Sequence, residues 1–234
     1  MDSLKKEIIE ALKVQREIFG DELFNDKGNY IVKRKTEVVP ESFQSAGSLE
    51  ELNNLICNCM KCSLGDTRKN LVFGTGNPHA DVLVIGEGPG ADEDEQGLPF
   101  VGRAGKLLND ILKAIKFERE EVYIANVVKC RPPGNRTPYP EEMECCMPYL
   151  KMQIELINPK LILCLGLTAT QALLSKKEAL GKMRGQIFDL ERRKVMVTYH
   201  PAALLRNPDW KRGCWEDVKA FRKLYDELIK PSAE

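Results

Sequence analysis

The chain has 234 residues, 43% of them hydrophobic, and its 35 lysines and arginines balance 35 aspartates and glutamates. This composition is typical of a globular α/β domain with an appendage, and the even charge excludes binding of a polyanion through bulk charge, so any nucleic-acid binding must come from a local patch. No apolar run approaches the roughly 18 residues of a membrane span, and the N-terminus is unlike a signal peptide, so we expect a cytoplasmic protein without a membrane partner.

The N-terminal part of the chain reads as an extension. Residues 4–19 carry apolar side chains near helical spacing with charges between them, which predicts an amphipathic helix followed by a Pro-, Gly- and Ser-containing linker. Ser48 with Glu51 three residues later matches a capping box and predicts the start of a short helix. We therefore predict an extension of unknown function over 1–47 and the main domain over 48–234.

Four apolar, β-rich runs follow and alternate with helix-like segments. The predicted strands are 82–86, 122–128, 161–166 and 195–200. The predicted helices lie around 103–116, 140–157, 168–175 and 214–229. Strand–helix–strand alternation predicts a parallel sheet, and runs that are apolar on both faces fit strands covered by helices. The expected fold is α/β, a four-stranded parallel sheet sandwiched between helices, with ligands at the carboxyl ends of the strands.

The first predicted strand runs into a glycine-rich motif, Gly86–Ala91, that satisfies the dinucleotide fingerprint G-x-G-x-x-A. Four acidic residues, 92–95, come next and would repel a pyrophosphate. The helix that should open at once is expected only about a dozen residues later, so we reject the dinucleotide interpretation.

Three polar or aromatic residues near the predicted strand ends suggest a binding site. Phe100 sits among glycines in a loop, where an aromatic ring suits a stacking platform better than core filling. Asn126 interrupts an apolar strand, and on its own it is more often a hydrogen-bonded structural amide than a ligand contact. His200 and the following proline lead into a short apolar tip ending in Leu205 and Arg206, which suits a rigid loop that presents a wedge and a phosphate contact to a duplex.

Eight cysteines are many for a chain expected in a reducing compartment, so the clustered ones call for a metal. Cys59-x-x-Cys62 precedes the first strand, Cys130 follows the second, and Cys146 comes after fifteen intervening residues. Four thiolates suit zinc or an iron–sulfur cluster, and spacing does not separate the two. Cys57 and Cys145 are the alternative ligands.

The loop between Cys130 and Cys146 is stiffened by prolines and carries two arginines. Arg131, Asn135 and Arg136 are therefore predicted to form the local DNA-binding patch that the net charge does not reveal.

Taken together, these motifs resemble those of the family 4 uracil-DNA glycosylases, the iron–sulfur branch of their superfamily. The resemblance runs from about Cys59 to the C-terminus through the cysteine pair, GEGPGADEDEQGLPFVGRAG, VYIANVVKCRPPGNR, Cys146 and HPAALLRNP in the same order. It implies a repair enzyme that flips uracil out of single- or double-stranded DNA and hydrolyses its N-glycosidic bond. It also implies a [4Fe–4S] cluster held by Cys59, Cys62, Cys130 and Cys146, and we expect the enzyme to be a monomer.

The resemblance also implies roles at the strand ends. Phe100 would stack on the flipped uracil, Asn126 would read its pairing edge, and His200 would face its O2 atom, with Gly86 and Gly88 completing the substrate-binding loop. In the best-known branch of the superfamily the residue matching Gly88 is the aspartate that activates water. Gly88 has no side chain, so we favour Glu87 as the residue that activates water, with Glu93 as the second candidate.

Two other functions compete with this one. A family 5 type glycosylase would have wider base tolerance, and Asn126 and the glutamate-containing first motif argue against it. A DNA-binding or polymerase-associated module that kept the fold without catalysis belongs to a different class of protein.

Overall fold

Six strands form a single mixed sheet in the computed structural model, which describes residues 41–229. The strands are β1 (Thr75–Gly76), β2 (Val82–Gly86), β3 (Tyr123–Asn126), β4 (Leu161–Leu165), β5 (Ile187–Leu190) and β6 (Arg193–Thr198). Their order across the sheet is β1-β3-β2-β4-β6-β5. The helix predicted over 4–19 lies outside the described residues.

The four predicted strands are confirmed as the parallel centre of the sheet, because β2 pairs with β3 and β4, and β4 pairs with β6, all in parallel. The prediction that the sheet has only four strands was wrong, because the sheet has six. The edge strands β1 and β5 are antiparallel to their neighbours. Neither carries a continuous apolar run, since β1 has two residues and β5 alternates between exposed and half-buried side chains, so hydrophobicity alone did not reveal them.

Nine α-helices lie among the described residues. They are α1 (Leu49–Ile56), α2 (Leu64–Thr67), α3 (Ala91–Gln96), α4 (Arg103–Ala114), α5 (Pro140–Ile157), α6 (Leu167–Leu174), α7 (Leu180–Met183), α8 (Pro201–Arg206) and α9 (Lys211–Ile229). The helices predicted near 103–116, 140–157, 168–175 and 214–229 are confirmed as α4, α5, α6 and α9. Short 3-10 turns occupy Glu41–Ser45, Pro133–Asn135 and Pro208–Trp210.

Helix α3 corrects the expectation that no helix opens directly behind the first glycine motif. It begins at the residue after Gly90, and the Glu93 side chain accepts a hydrogen bond from the Gly90 N–H at 3.1 Å. Three of the four acidic residues that argued against a helical phosphate site, Asp92, Glu93 and Asp94, lie in its first turn, where negative charge is favourable because it faces the positive end of the helix dipole.

Alternate residues of the central strands fill two separate cores, one on each face of the sheet. Leu83 of β2 packs with Leu150 of α5 on one face, whereas Val84 packs with Leu112 of α4 and Phe221 of α9 on the other. All five side chains are fully buried. Each such burial contributes about 1.5–3 kcal/mol, so both layers of helices hold the strand ends in place.

The domain core extends slightly to the N-terminal side of residue 48. Ser48 caps α1 by accepting the Glu51 N–H at 3.1 Å, as predicted. Phe43 is buried and its ring meets Tyr149 edge-on at 5.0 Å. The boundary near residue 47 stays a prediction. No helix within residues 41–229 is both long and apolar enough to cross a membrane.

Candidate active site

The carboxyl ends of the central strands open into one pocket of about 400 Å³, which we call the strand-end pocket. Ten residues singled out in the sequence or lying next to them line it: Glu87, Gly88, Gly90, Glu93, Phe100, Asn126, Asn135, Arg136, His200 and Arg206. Residues from four distant stretches meet here because parallel strands end at the same edge of a sheet.

Gly86 sits where the polar and aromatic parts of the pocket come closest. A Cβ atom on this residue would lie 2.4 Å from Asn126 Oδ1 and 2.6 Å from Phe100 Cζ. Backbone bonds from Val127 N–H to Gly86 O (3.0 Å) and from Val128 N–H to Glu87 O (3.1 Å) extend the β2–β3 pairing past the strand ends. Only glycine therefore lets the amide and the ring converge.

Asn126 is the last residue of β3, two residues earlier than the predicted strand end, and its side chain is buried. Its Oδ1 atom has no hydrogen-bond partner in the described part of the chain. An unpaired buried carbonyl costs about 1–3 kcal/mol, and native proteins rarely leave one without reason. The pocket is thus lined by an acceptor that is free to bind a ligand.

The backbone of Phe100 is held in a left-handed conformation (φ 53°) that is unusual for a non-glycine residue. Arg119 donates to the Phe100 carbonyl at 3.2 Å and to the Pro99 carbonyl at 2.6 Å. Gly105 admits the same segment, since a Cβ atom there would lie 1.9 Å from the Phe100 oxygen. These contacts fix the ring at the pocket wall, 5.6 Å from the His200 ring.

His200 presents a neutral imidazole to the pocket. Its Nδ1 accepts the Ala202 N–H at 3.2 Å, which caps α8 and leaves the proton on Nε2. Burial, together with the smaller effect of nearby Arg206, lowers the pKa of His200 to about 4, and Glu93 acts in the opposite direction. The side chain can therefore donate one hydrogen bond from Nε2 across the neutral pH range without carrying a charge.

The two carboxylates considered for water activation lie in different settings. Glu93 accepts N–H bonds from Gly90, Val101 and Gly102 at 3.1, 2.9 and 3.0 Å, so it ties the two halves of the glycine-rich motif together. Glu87 accepts one bond at 2.5 Å, from the Thr168 hydroxyl on α6. Glu87 keeps more of its accepting capacity, and the geometry assigns Glu93 to positioning the loop.

The tip that follows His200 is helix α8, where a rigid loop was expected. Leu204 is buried beneath it, whereas Leu205 is 37% exposed and Arg206 lines the pocket. An apolar side chain therefore projects beside the pocket from a short, capped helix.

The polar residues of the loop after Cys130 are bound to each other and to helix α5. Arg131 Nε donates to Asn135 Oδ1 at 2.8 Å. Arg136 forms a two-pronged ion pair with the buried Glu142, at 2.8 and 2.6 Å, and this guanidinium keeps the pKa of Glu142 below its ordinary value. Arg136 still lines the strand-end pocket, but its guanidinium is committed to positioning the loop.

A second pocket, which we call the thiol pocket, is lined by cysteines. Cys59, Cys62, Cys130 and Cys146 all line it, together with Cys145, while Cys57 is exposed and lies outside it. Within residues 41–229, no group of three or more His, Cys, Asp or Glu side chains has the geometry to hold a metal ion. The four predicted ligands are thus neighbours in one pocket but do not form a coordination sphere in this conformation.

The chemistry of the thiol pocket suits a thiolate-bound cationic group. Burial raises the pKa of Cys130 to about 11 and that of Cys146 to about 12, so thiolates there need a positive partner. Donors already point at the sulfurs, since Arg68 Nη1 and the Lys129 N–H lie 3.3 Å from the sulfurs of Cys130 and Cys146 respectively. Hydrogen bonds of this kind tune the sulfur ligands of iron–sulfur clusters.

Three residues that were not predicted from the sequence hold residues of the site in place. Lys129 is fully buried, and its Nζ donates to the Asn126 carbonyl at 2.7 Å and to Gln153 Oε1 at 2.6 Å. Arg119 holds Phe100, and Thr168 holds Glu87. Of the three, only Lys129 could have been predicted from the sequence. It directly follows an apolar strand run, and a lysine that is buried there must have a polar partner.

A sequence model described as the uracil DNA glycosylase superfamily matches residues 73–225. A type-4 uracil-DNA glycosylase of Thermotoga maritima is 48% identical over 175 residues, covering 73% of this chain and 91% of its own length. A type-4 uracil-DNA glycosylase of Pyrobaculum aerophilum is 45% identical over 181 residues, covering 74% of this chain and 92% of that protein.

The same archaeon supplies a contrast. Its type-5 uracil-DNA glycosylase is 28% identical over 191 residues, which cover 68% of this chain and 84% of that protein. Similarity to type 4 therefore exceeds similarity to type 5 within one organism.

Proposed function

This chain belongs to the uracil DNA glycosylase superfamily, and from that membership we propose that it is a type-4 uracil-DNA glycosylase, a repair enzyme that hydrolyses the N-glycosidic bond of uracil in DNA and leaves an abasic site. One observation carries the proposal most strongly. The buried, unpaired Oδ1 of Asn126 lies at a pocket that also contains the Phe100 ring and the His200 imidazole.

Base recognition follows from that arrangement. A uracil extruded from the stack would lie against Phe100, and Asn126 would accept from its N3–H and donate to its O4. Cytosine offers the reverse pattern along this edge, because its N3 is an acceptor and its N4 amino group is a donor. The same amide would therefore select uracil over cytosine.

Bond cleavage builds negative charge on uracil and positive charge on the sugar. The His200 Nε2–H would donate to uracil O2 and stabilise the departing anion, as preorganised donors do at oxyanion sites. Glu87, held by Thr168, would accept a proton from the attacking water, whose oxygen bonds to C1′ as the C1′–N1 bond breaks. The uracil anion then takes up a proton, in balance with the one that Glu87 passes on to solvent, and the products are free uracil and an abasic sugar.

We propose that Cys59, Cys62, Cys130 and Cys146 hold a [4Fe–4S] cluster. When bound, the cluster supplies a cross-link between the segment before β2, the loop after β3 and helix α5. Cys130 follows Asn126 by only four residues, so this cross-link would stabilise the β3 end that carries the base-reading amide.

Replacing Cys130 by serine is expected to remove the cluster. Purified protein should show the broad visible absorption of iron–sulfur charge transfer together with bound iron and sulfide, and Cys130→Ser should lose all three. Cys57→Ser is the matched control, because Cys57 is exposed and lies outside the thiol pocket. Colourless protein with stoichiometric zinc would overturn the iron assignment.

Leu205 is proposed to act as the wedge that fills the gap left by the extruded nucleotide. Leu205→Ala should lower the single-turnover rate of uracil release from duplex DNA by roughly tenfold and affect single strands much less, because unstacking costs a few kcal/mol mainly in a paired duplex. Leu228→Ala is the control, since Leu228 is similarly exposed (41% against 37%) at the end of α9. An unchanged duplex-to-single-strand ratio would assign Leu205 to ordinary packing.

Measurement of base release separates this function from its competitors. Single- and double-stranded oligonucleotides carrying uracil, hypoxanthine or thymine would be incubated with the full-length protein. Release of uracil alone supports the type-4 assignment, whereas release of several bases indicates type-5 tolerance. DNA binding without any base release would indicate a non-catalytic module.

A further inference from the structure

Tyr139 holds an exposed aromatic ring on a rigid backbone. Its exposure of 56% exceeds that of both tryptophans, which are 43% exposed. The residue lies between Pro138 and Pro140, and its backbone is extended (φ −70°, ψ 155°), the conformation that a residue before proline prefers. Its N–H donates to Glu142 Oε2 at 2.7 Å and so fixes the start of helix α5.

One face of this ring is already occupied by a cation. The guanidinium carbon of Arg136 lies 3.8 Å from the ring centroid. Arg136 is itself held by both carboxylate oxygens of the buried Glu142, so ring, guanidinium and carboxylate form one braced unit. A ring held in this way loses little conformational entropy when a ligand packs on it.

This unit adjoins the strand-end pocket, because Arg136 and Thr137 both line that pocket. The Tyr139 ring packs on Arg136, which lines the pocket, so the ring is a neighbour of the pocket although Tyr139 does not line it. Nucleotides that adjoin a uracil in the pocket remain close to the residues around it, and Tyr139 is one of these residues.

We propose that the Tyr139 ring stacks on the base next to the flipped uracil in single-stranded DNA. This inference rests on the proposed function and adds a second base-binding position to it. Stacking on an aromatic ring tolerates any base, because every base has a π-face. In a duplex the neighbouring base is already paired and stacked, so the contact serves single strands.

The test pairs a protein change with a DNA change. Tyr139→Ala and Tyr139→Phe would be compared with the parent on single-stranded oligonucleotides in which the base on the 5′ side or on the 3′ side of uracil is replaced by an abasic analogue. The measured quantity is the DNA concentration that gives half-maximal single-turnover uracil release. Trp215→Ala is the matched control, because Trp215 is also exposed and also has a cation near its ring, the Lys219 ammonium at 5.6 Å from the centroid, but neither Trp215 nor Lys219 lines the pocket.

For the parent, the DNA concentration that gives half-maximal release should rise at least about fivefold when the stacked base is removed from one side of uracil. For Tyr139→Ala, this concentration should already be raised by the same factor on the intact strand, and removal of the base should not raise it again. Tyr139→Phe and Trp215→Ala should behave as the parent. If Tyr139→Ala loses affinity equally for intact and base-depleted strands, or loses none, the stacking assignment is wrong. Absence of uracil release from every substrate would instead reject the proposed function, so the two failures are distinguishable.

Discussion

Asn126→Asp is expected to lower uracil release by roughly 100-fold or more, the largest loss among the site variants that keep the side-chain shape. Asparagine offers uracil one donor and one acceptor from a buried position, and an ionised aspartate offers acceptors only. Each buried hydrogen bond left unmade costs about 1–3 kcal/mol, and here the O4 contact is replaced by repulsion between oxygens. Single-turnover release from single-stranded DNA measures the loss without the contribution of duplex opening.

The same variant should gain measurable activity on cytosine, because a carboxylate accepts from the cytosine amino group where the amide would clash with it. Thermal unfolding provides the control, since Lys129 holds the backbone carbonyl of Asn126 and not its side chain. Uracil release at the parent rate by a folded Asn126→Asp protein would return Asn126 to a purely structural role.

His200→Ala is expected to lower the rate by about 100- to 1000-fold on single and double strands alike. Removal of one preorganised donor at comparable sites costs about 2.7–4 kcal/mol, and in the proposed mechanism the His200 Nε2–H would act on the departing base in single and double strands alike. His200→Asn is the informative companion, because asparagine is a good helix N-cap and can still accept the Ala202 N–H without presenting a donor at the Nε2 position. Both variants should be impaired if His200 acts as a donor, whereas His200→Asn should recover if it acts only as a cap.

The pH dependence of the parent checks the charge of this residue. The folded pKa of His200, about 4, lies below the ordinary value near 6.5, so the imidazole is neutral at pH 6–8 and its titration should not change the single-turnover rate there. The unfolded chain binds a proton more readily, so the free energy of unfolding should decrease as pH falls from about 6.5 towards 4. His200→Ala should lose this part of the pH dependence. A parent rate that rises with protonation near pH 6.5 would mean that a charged imidazole performs the chemistry.

The sequence alone determined the parallel centre of the sheet and the residues that meet at its carboxyl edge. Strands β2, β3, β4 and β6 were visible because burial on both faces demands continuous apolar runs, which is a local property of the chain. Parallel strands place their ends together, so Phe100, Asn126 and His200 were predicted as neighbours and do line one pocket.

Only the tertiary structure decided what each of these residues can do. The proton position on His200 depends on the Ala202 N–H, the strained Phe100 backbone depends on Arg119, and the choice between Glu87 and Glu93 depends on which backbone N–H groups each carboxylate meets. The bond between Glu87 and Thr168 joins residues 81 positions apart. Hydrogen bonds of this kind depend on the relative positions of segments that are distant in sequence. Hydrophobic patterns indicate which side chains are buried, but they do not indicate which polar groups face each other in the folded protein.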